Sequence, residues 1–187
     1  MATETFIYDH LFAGGDDIIT DSGTLIMGQN LKRGAVLGKI AASGKLTLVN
    51  STATDGSQTP YAILAADTDA TAADKTCSLY IAGEFNSNGL IFGGTDTPAT
   101  VSAANGAAAW AGTTAKAAGA RVTPTTANGF VYIAIVAGTT AAAAPAWPQS
   151  DGGVVVDGTV TWQAQRLQSH KEILRNAGIF LKDPVKA

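Results

Sequence analysis

Leu31-Lys32-Arg33-Gly34-Ala35-Val36-Leu37-Gly38-Lys39-Ile40, followed by Ser43-Gly44 and then by Lys45-Leu46-Thr47-Leu48-Val49, decides the fold class of this chain. Apolar and polar residues alternate on both sides of a tight Ser-Gly connection, the pattern of an antiparallel hairpin with one buried face. Downstream, Pro60 sets an extended entrance to Tyr61-Ala62-Ile63-Leu64. Cys77-Ser78-Leu79-Tyr80-Ile81-Ala82-Gly83-Glu84-Phe85 reads as a further strand, and Asn86-Ser87-Asn88-Gly89 as the turn after it. Upstream, residues 1–30 hold turn chemistry (Ala13-Gly14-Gly15, Asp21-Ser22-Gly23) around short apolar runs. They predict either an extended arm that orders against another surface or a loose terminus.

Past Phe92 the composition changes. Residues 95–105 are rich in Thr, Ala, Pro and Ser and read as a linker. Residues 107–165 carry four charged side chains, Lys116, Arg121, Asp151 and Asp157, and all three tryptophans, Trp110, Trp147 and Trp162. A stretch with its own aromatic set and charge density predicts its own small core. Its strands are short: 120–123, 130–136 and 159–162, with Asn128-Gly129 and Asp157-Gly158 as turns ahead of the second and third. From Gln165 to Gly178, Leu167, Ile173, Leu174 and Ala177 fall at helical spacing, with Gly178 as the stop and Ser169 as the cap of a shorter alternative. Ile179-Phe180-Leu181 closes the chain as a strand. The fold class is mainly β: an α+β body with one C-terminal helix, interrupted by a small antiparallel β module. The predicted organisation is an arm over 1–30, a discontinuous body over 31–94 and 165–187, and an insertion over 95–164.

The full chain of 187 residues carries 12 Lys+Arg against 15 Asp+Glu, a net charge of -3, with 14% charged residues. Twelve scattered basic residues give no electrostatic footprint for nucleic acid, and the low charge excludes charge-driven disorder. No apolar run approaches the ~20 residues that span a bilayer, and the acidic start does not resemble a secretion signal. The expectation is a protein with neither nucleic-acid nor membrane partners, used without export. The single cysteine, Cys77, alternates with Leu79 and Ile81 and reads as a buried structural thiol.

Enzymatic chemistry finds little footing. His10 and His170 are far apart and lack ligand partners at metal spacing; His170 falls on the exposed face of the predicted helix and reads as a solvated histidine. Asp67, Asp69 and Asp74 lack the Gly and terminal Glu of a calcium loop and read as surface groups. No catalytic residue, metal site or cofactor is expected. Trp110, Tyr132, Trp147 and Trp162 have two readings, and the first three are the candidate glycan-binding residues. Exposed rings stack on sugars, whereas a module of ~60 residues needs its large rings as core. Trp147, between Pro145 and Pro148, is the ring expected to be most exposed; Trp110 and Trp162 are expected to pack together and tie the segment's ends.

Four segments, taken in order, resemble one family. Thr54-Asp55-Gly56-Ser57-Gln58-Thr59-Pro60-Tyr61-Ala62-Ile63-Leu64-Ala65-Ala66-Asp67 and Thr76 to Asn86 are similar to consecutive stretches of phage head decoration proteins of the lambda type. Leu31 to Gly38 and Leu174-Arg175-Asn176-Ala177-Gly178-Ile179-Phe180-Leu181-Lys182 resemble the family's lead-in and ending. The insertion, ending Asp157-Gly158-Thr159-Val160-Thr161-Trp162, resembles small β modules of phage tail fibres and carbohydrate-binding modules of chitinase type. The first resemblance implies a homotrimer on the outer capsid surface at local threefold sites. Such a trimer joins subunits of the major capsid protein and stabilises the shell, after synthesis in the host cytoplasm. Thr5, Phe6, Ile7 and Tyr8 have the β-propensity for a capsid-binding arm that adds to a sheet edge. The second resemblance implies an outward-facing module with a glycan as a further partner. The alternative is a carbohydrate-binding or adhesin-type tail-fibre accessory protein.

Overall fold

The computed structural model describes residues 10–15, 17–101 and 107–183. The strands are β1 (Ile19–Leu25), β2 (Gln29–Leu31), β3 (Val36–Lys39), β4 (Leu46–Leu48), β5 (Pro60–Leu64), β6 (Thr68–Ala70), β7 (Lys75–Asn86), β8 (Ala108–Ala109), β9 (Ala115–Lys116), β10 (Arg121–Thr123), β11 (Phe130–Val136), β12 (Gly138–Thr139), β13 (Val154–Asp157), β14 (Val160–Arg166) and β15 (Ile179–Lys182). One α-helix, α1 (His170–Asn176), occurs among the described residues, so the fold is mainly β. The chain divides into two compact units, Met1–Ser102 with Ser169–Ala187, and Ala103–Gln168.

In the first unit the strands run β1-β4-β3-β5-β7, and β7 pairs again with β1, which closes a five-stranded ring. The twelve residues of β7 serve two sets of partners. Lys75 to Ala82 face β1, and Gly83 to Asn86 run parallel to β15. The change falls at Gly83, whose φ of +135° suits glycine. The predicted hairpin is β3 and β4, with Leu37 opposite Leu48 and Lys39 opposite Leu46.

Alternation sorts the apolar residues into two layers. Leu25, Leu37, Leu46, Ala62, Leu64, Cys77 and Leu79 fill one cluster. Val36, Ile63, Phe85, Leu174, Ile179 and Leu181 fill a second, beneath α1. Strands β3 and β5 are therefore buried on both faces, which is why Pro60-Tyr61-Ala62-Ile63-Leu64 reads as a nearly continuous apolar run. Cys77 is buried as expected, and burial pushes its thiol up, so it stays protonated and inert.

Three expectations need correction. Residues 19–31 are not a loose lead-in: β1 pairs with β7 over seven residues, and β2 pairs with β6. Within the predicted arm over 1–30, residues 19–25 are instead a strand of the ring, and residues 29–30 begin a strand paired with β6. The helix takes the shorter alternative. Ser169 accepts from the Glu172 N–H, and the Glu172 carboxylate accepts from the Ser169 N–H at 2.9 Å, a capping box that starts the helix at His170. Gln165 and Arg166, where the longer helix was expected to begin, belong to β14. The linker is not free either, because residues 96–101 bind the first unit. The His170 and Lys171 N–H groups donate to the Thr100 and Pro98 carbonyls, both at 2.9 Å, and Val101 bridges Ser169.

The second unit is a five-stranded sheet ordered β13-β14-β11-β10-β8, with a small β9–β12 pair. The Asn-Gly and Asp-Gly turns stand directly before β11 and β14, with Gly129 and Gly158 at positive φ. Val122, Tyr132, Ala134, Val160, Trp162 and Ala164 form its core. Strand β13, Val154-Val155-Val156-Asp157, was not read from the sequence.

Candidate functional site

Thr5, Phe6, Ile7 and Tyr8 lie outside the described residues. The chain that follows them is held firmly. Leu11 is buried, its carbonyl accepts from the Asn86 N–H at 2.8 Å, and Ala13 donates to the Glu84 carbonyl at 3.1 Å. Asn86 Nδ2 donates to the His10 carbonyl at 2.9 Å. Residues 10–13 thus run antiparallel along the C-terminal half of β7, bridging Phe12 to Phe85. Phe12 packs edge-on to Tyr80 at 5.4 Å, and the Arg33 guanidinium covers its ring at 5.1 Å. On the other side of this half of β7 runs β15, whose Phe180 is exposed and whose Lys182 pairs with Glu84.

Gly89 makes room for this root: a Cβ there would stand 2.8 Å from the His10 carbonyl oxygen and 3.3 Å from the Leu11 Cα. Gly89→Ala is expected to cost about 1–2 kcal/mol of stability, because backbone must shift to accept it. Urea unfolding followed by far-UV circular dichroism measures the loss.

His170 corrects the sequence reading most sharply. It is 0% exposed, stacked on Phe92 at 5.6 Å with rings 12° apart, and its Nε2 lies 3.2 Å from Asp96 Oδ2. The other oxygen, Asp96 Oδ1, accepts from the Ser51 hydroxyl at 2.6 Å, and Oδ2 also accepts from the Ser51 N–H at 2.5 Å. Ser, His and Asp meet here in the wrong order for catalysis. The carboxylate, not the imidazole, holds the serine, so His170 is not placed as the hydroxyl's general base in the manner of a Ser-His-Asp triad. The cluster instead fastens residues 93–101 to the start of α1.

Burial disfavours the Asp96 charge, but the two Ser51 bonds and His170 outweigh it and hold the carboxyl below its ordinary value. A depressed carboxyl stabilises the fold at neutral pH, and that contribution fades as pH falls through the folded value. Asp96→Ala is therefore expected to cost about 2 kcal/mol at pH 7. Its gap from wild type should narrow below about pH 4. Urea midpoints at pH 7 and pH 3 test both statements.

The candidate calcium-loop carboxylates are engaged separately. Asp67 accepts from Lys32 Nζ at 2.7 Å and the Arg33 N–H at 2.8 Å, and Asp74 pairs with Lys45 at 2.6 Å. Asp69 accepts from the Thr71 hydroxyl and lies in β6 rather than in a loop.

In the second unit the rings form core. Tyr132 is 0% exposed. Asn128 Nδ2 donates to its hydroxyl at 2.7 Å, and the hydroxyl donates to the Pro148 carbonyl at 2.9 Å. Burial raises its pKa, so it remains a phenol. A ring without an exposed face cannot stack on a sugar, and Tyr132 leaves the set of glycan-stacking residues. Trp147, expected to be the most exposed ring, is half-buried against Tyr132 at 4.3 Å and Trp162 at 6.3 Å. Trp110 and Trp162 are tied through one acceptor. Both indole N–H groups donate to Asp157 Oδ2, at 2.8 and 2.9 Å, while Oδ1 accepts from the Ala141 N–H at 2.8 Å. Asp157 is 1% exposed. The sequence offered it only as a turn residue. The available signal was that one of four charges in a nearly uncharged stretch lay among three indole donors needing acceptors.

A closed ring of strands, residues 10–13 clasped on β7 and polar groups spent on holding backbone describe a structural β protein. A family model described as Bacteriophage lambda head decoration protein D matches residues 2–116. The chain belongs to this family: it is a phage head decoration protein, a capsid-binding structural component of the virion and not an enzyme. The match takes in β1 to β9 and ends before α1 and β15. It crosses residue 95, where the sequence placed the start of the insertion. No curated protein matches the chain. No helix among the described residues is long and apolar enough to cross a membrane.

Proposed function

We propose that the protein binds the outer capsid surface as a homotrimer at local threefold sites, bridging subunits of the major capsid protein and stabilising the shell. Membership of the decoration family, over residues 2–116, carries this reading. Residues 5–8 are the capsid-binding segment. Their apolar side chains and β-propensity suit addition to a capsid sheet edge, and the clasp of residues 10–13 on β7 gives the segment a fixed origin. Each protomer's contact can be modest, because three arms from one trimer engage the shell together and their avidity multiplies.

The stabilising role is tested on particles lacking the protein. Heating such particles with and without added protein, and following release of packaged DNA by dye fluorescence, is expected to show release at higher temperature when it is present. Equal release temperatures at saturating occupancy contradict the stabilising role.

Residues 103–168 are read as a displayed recognition unit for a neutral glycan, supported by four charges in the 59 residues of 107–165. The rival, an adhesin-type accessory of the tail, predicts a different position on the virion.

A further inference from the structure

On the face of the second sheet opposite its core, the turn at 150–153 and strand β14 border an open hollow of about 220 Å³. It is lined by Ile133, Asp151, Gly152, Gln163, Ala164 and Gln165. The strand's alternation builds it: Val160, Trp162 and Ala164 are buried, which leaves Gln163 and Gln165 exposed on the other face. The turn is docked by two backbone bonds. Gly152 donates to the Ala164 carbonyl at 2.8 Å, and Ala164 donates to the Gly153 carbonyl at 2.7 Å. Gly152 takes φ +75° to allow it.

The polar groups around this hollow are mixed in kind. Asp151 Oδ1 accepts from the Arg166 N–H at 2.9 Å, and its carboxylate brings acceptor oxygens to the rim. Arg121, which faces Ile133 across the β10–β11 pair, donates from Nη2 to Gln165 Oε1 at 2.7 Å. That bond fixes the Gln165 amide with its N–H₂ as a donor. Arg121 Nε is buried without a partner among the described residues. Gln163 sits between Ile133 and Val154 in register and brings both a donor and an acceptor. Ile133 is half-buried and supplies an aliphatic floor.

We infer that this hollow is a binding site for one ring of a neutral, polyhydroxylated ligand, a pyranose unit of a glycan. The inference rests on reading residues 103–168 as a recognition unit and gives that unit a site other than its tryptophans. An anion would meet Asp151 and a cation would meet Arg121. Hydroxyl groups, each donor and acceptor at once, match the mixed set. A volume of about 220 Å³ is below the roughly 300–1,000 Å³ of sites for larger molecules, so it takes a single ring. Such a site binds weakly in one copy and becomes effective when several copies are displayed together.

The test is a nitrogen-15 amide shift titration of the full chain with glucose, galactose and N-acetylglucosamine in turn. Each is taken to about 50 mM, well above the ~1 mM dissociation constant of a small site. At least one sugar is expected to give saturable shifts at Gly152, Gly153, Gln163, Ala164 and Gln165. Gln163→Ala and Gln165→Ala should weaken them at least fivefold, and Trp147→Ala should leave them. Both glutamines are exposed, and unchanged tryptophan fluorescence checks that the variants fold. Shifts centred on Trp147 and lost in Trp147→Ala overturn this site while sparing the recognition reading. No saturable shift with any sugar overturns both. Stronger shifts with inorganic phosphate overturn the neutral ligand class.

Discussion

Asp157→Ala is expected to lower the stability of residues 103–168 by about 3–5 kcal/mol. The substitution strips the acceptor from three N–H donors at once, the indoles of Trp110 and Trp162 and the Ala141 backbone. Each buried donor left without a partner costs about 1–3 kcal/mol, and the three share one site, so their losses do not add in full. Asp157→Asn keeps the volume and one acceptor oxygen but turns its N–H₂ toward other donors, so it should recover only part of the loss. The measurement is selective because all three tryptophans, at 110, 147 and 162, belong to this unit. A urea titration followed by tryptophan fluorescence therefore reports its unfolding. A midpoint shift worth under 0.5 kcal/mol, on the ~1 kcal/mol scale of one hydrogen bond, would show that the shared carboxylate does not hold the unit.

The combined change Phe6→Ser, Ile7→Ser and Tyr8→Ser is expected to weaken capsid binding about 100-fold or more. Burying each such side chain is worth up to about 1.5–3 kcal/mol, and about 1 kcal/mol realised per residue gives two orders of magnitude. The same variant should unfold at the wild-type urea midpoint, because Leu11 and the bonds of residues 10–13 to β7 lie after the changed segment. Cosedimentation with empty capsid shells measures the affinity. Unchanged affinity with an unchanged fold would remove residues 5–8 from the capsid contact.

Much of the first unit was legible because its signals are local. Ser43-Gly44 marks the β3–β4 turn, Pro60 opens β5, and Ser169 marks the cap of the shorter of the two helices the sequence allows. Strand β1 was not legible, because Ile-Thr-Asp-Ser-Gly-Thr-Leu is largely exposed and its order comes from β7, whose paired residues lie 50 to 63 positions later. The burial of His170 depends on Asp96, 74 residues earlier, and no spacing rule reaches that far. The same holds in the second unit. Trp110 and Trp162 at the ends of the segment predict a tie by packing, whereas the tie runs through Asp157, which reads as turn chemistry because Asp-Gly before a strand is an ordinary hairpin signal. The hollow beside Gln163 and Gln165 exists only once the turn at 150–153 folds onto β14, a placement that depends on backbone bonds rather than on residue type.

Position on the virion distinguishes a trimer on the shell from an accessory of the tail. Purified protein should be added to expanded capsid shells that lack it, and the particles imaged by electron cryomicroscopy with icosahedral averaging. Threefold protrusions are expected on the outer surface at the local threefold positions, with density for the N-terminal residues running onto a capsid subunit. Bare shells at saturating protein, or density confined to the tail of complete virions, would contradict a trimer on the shell.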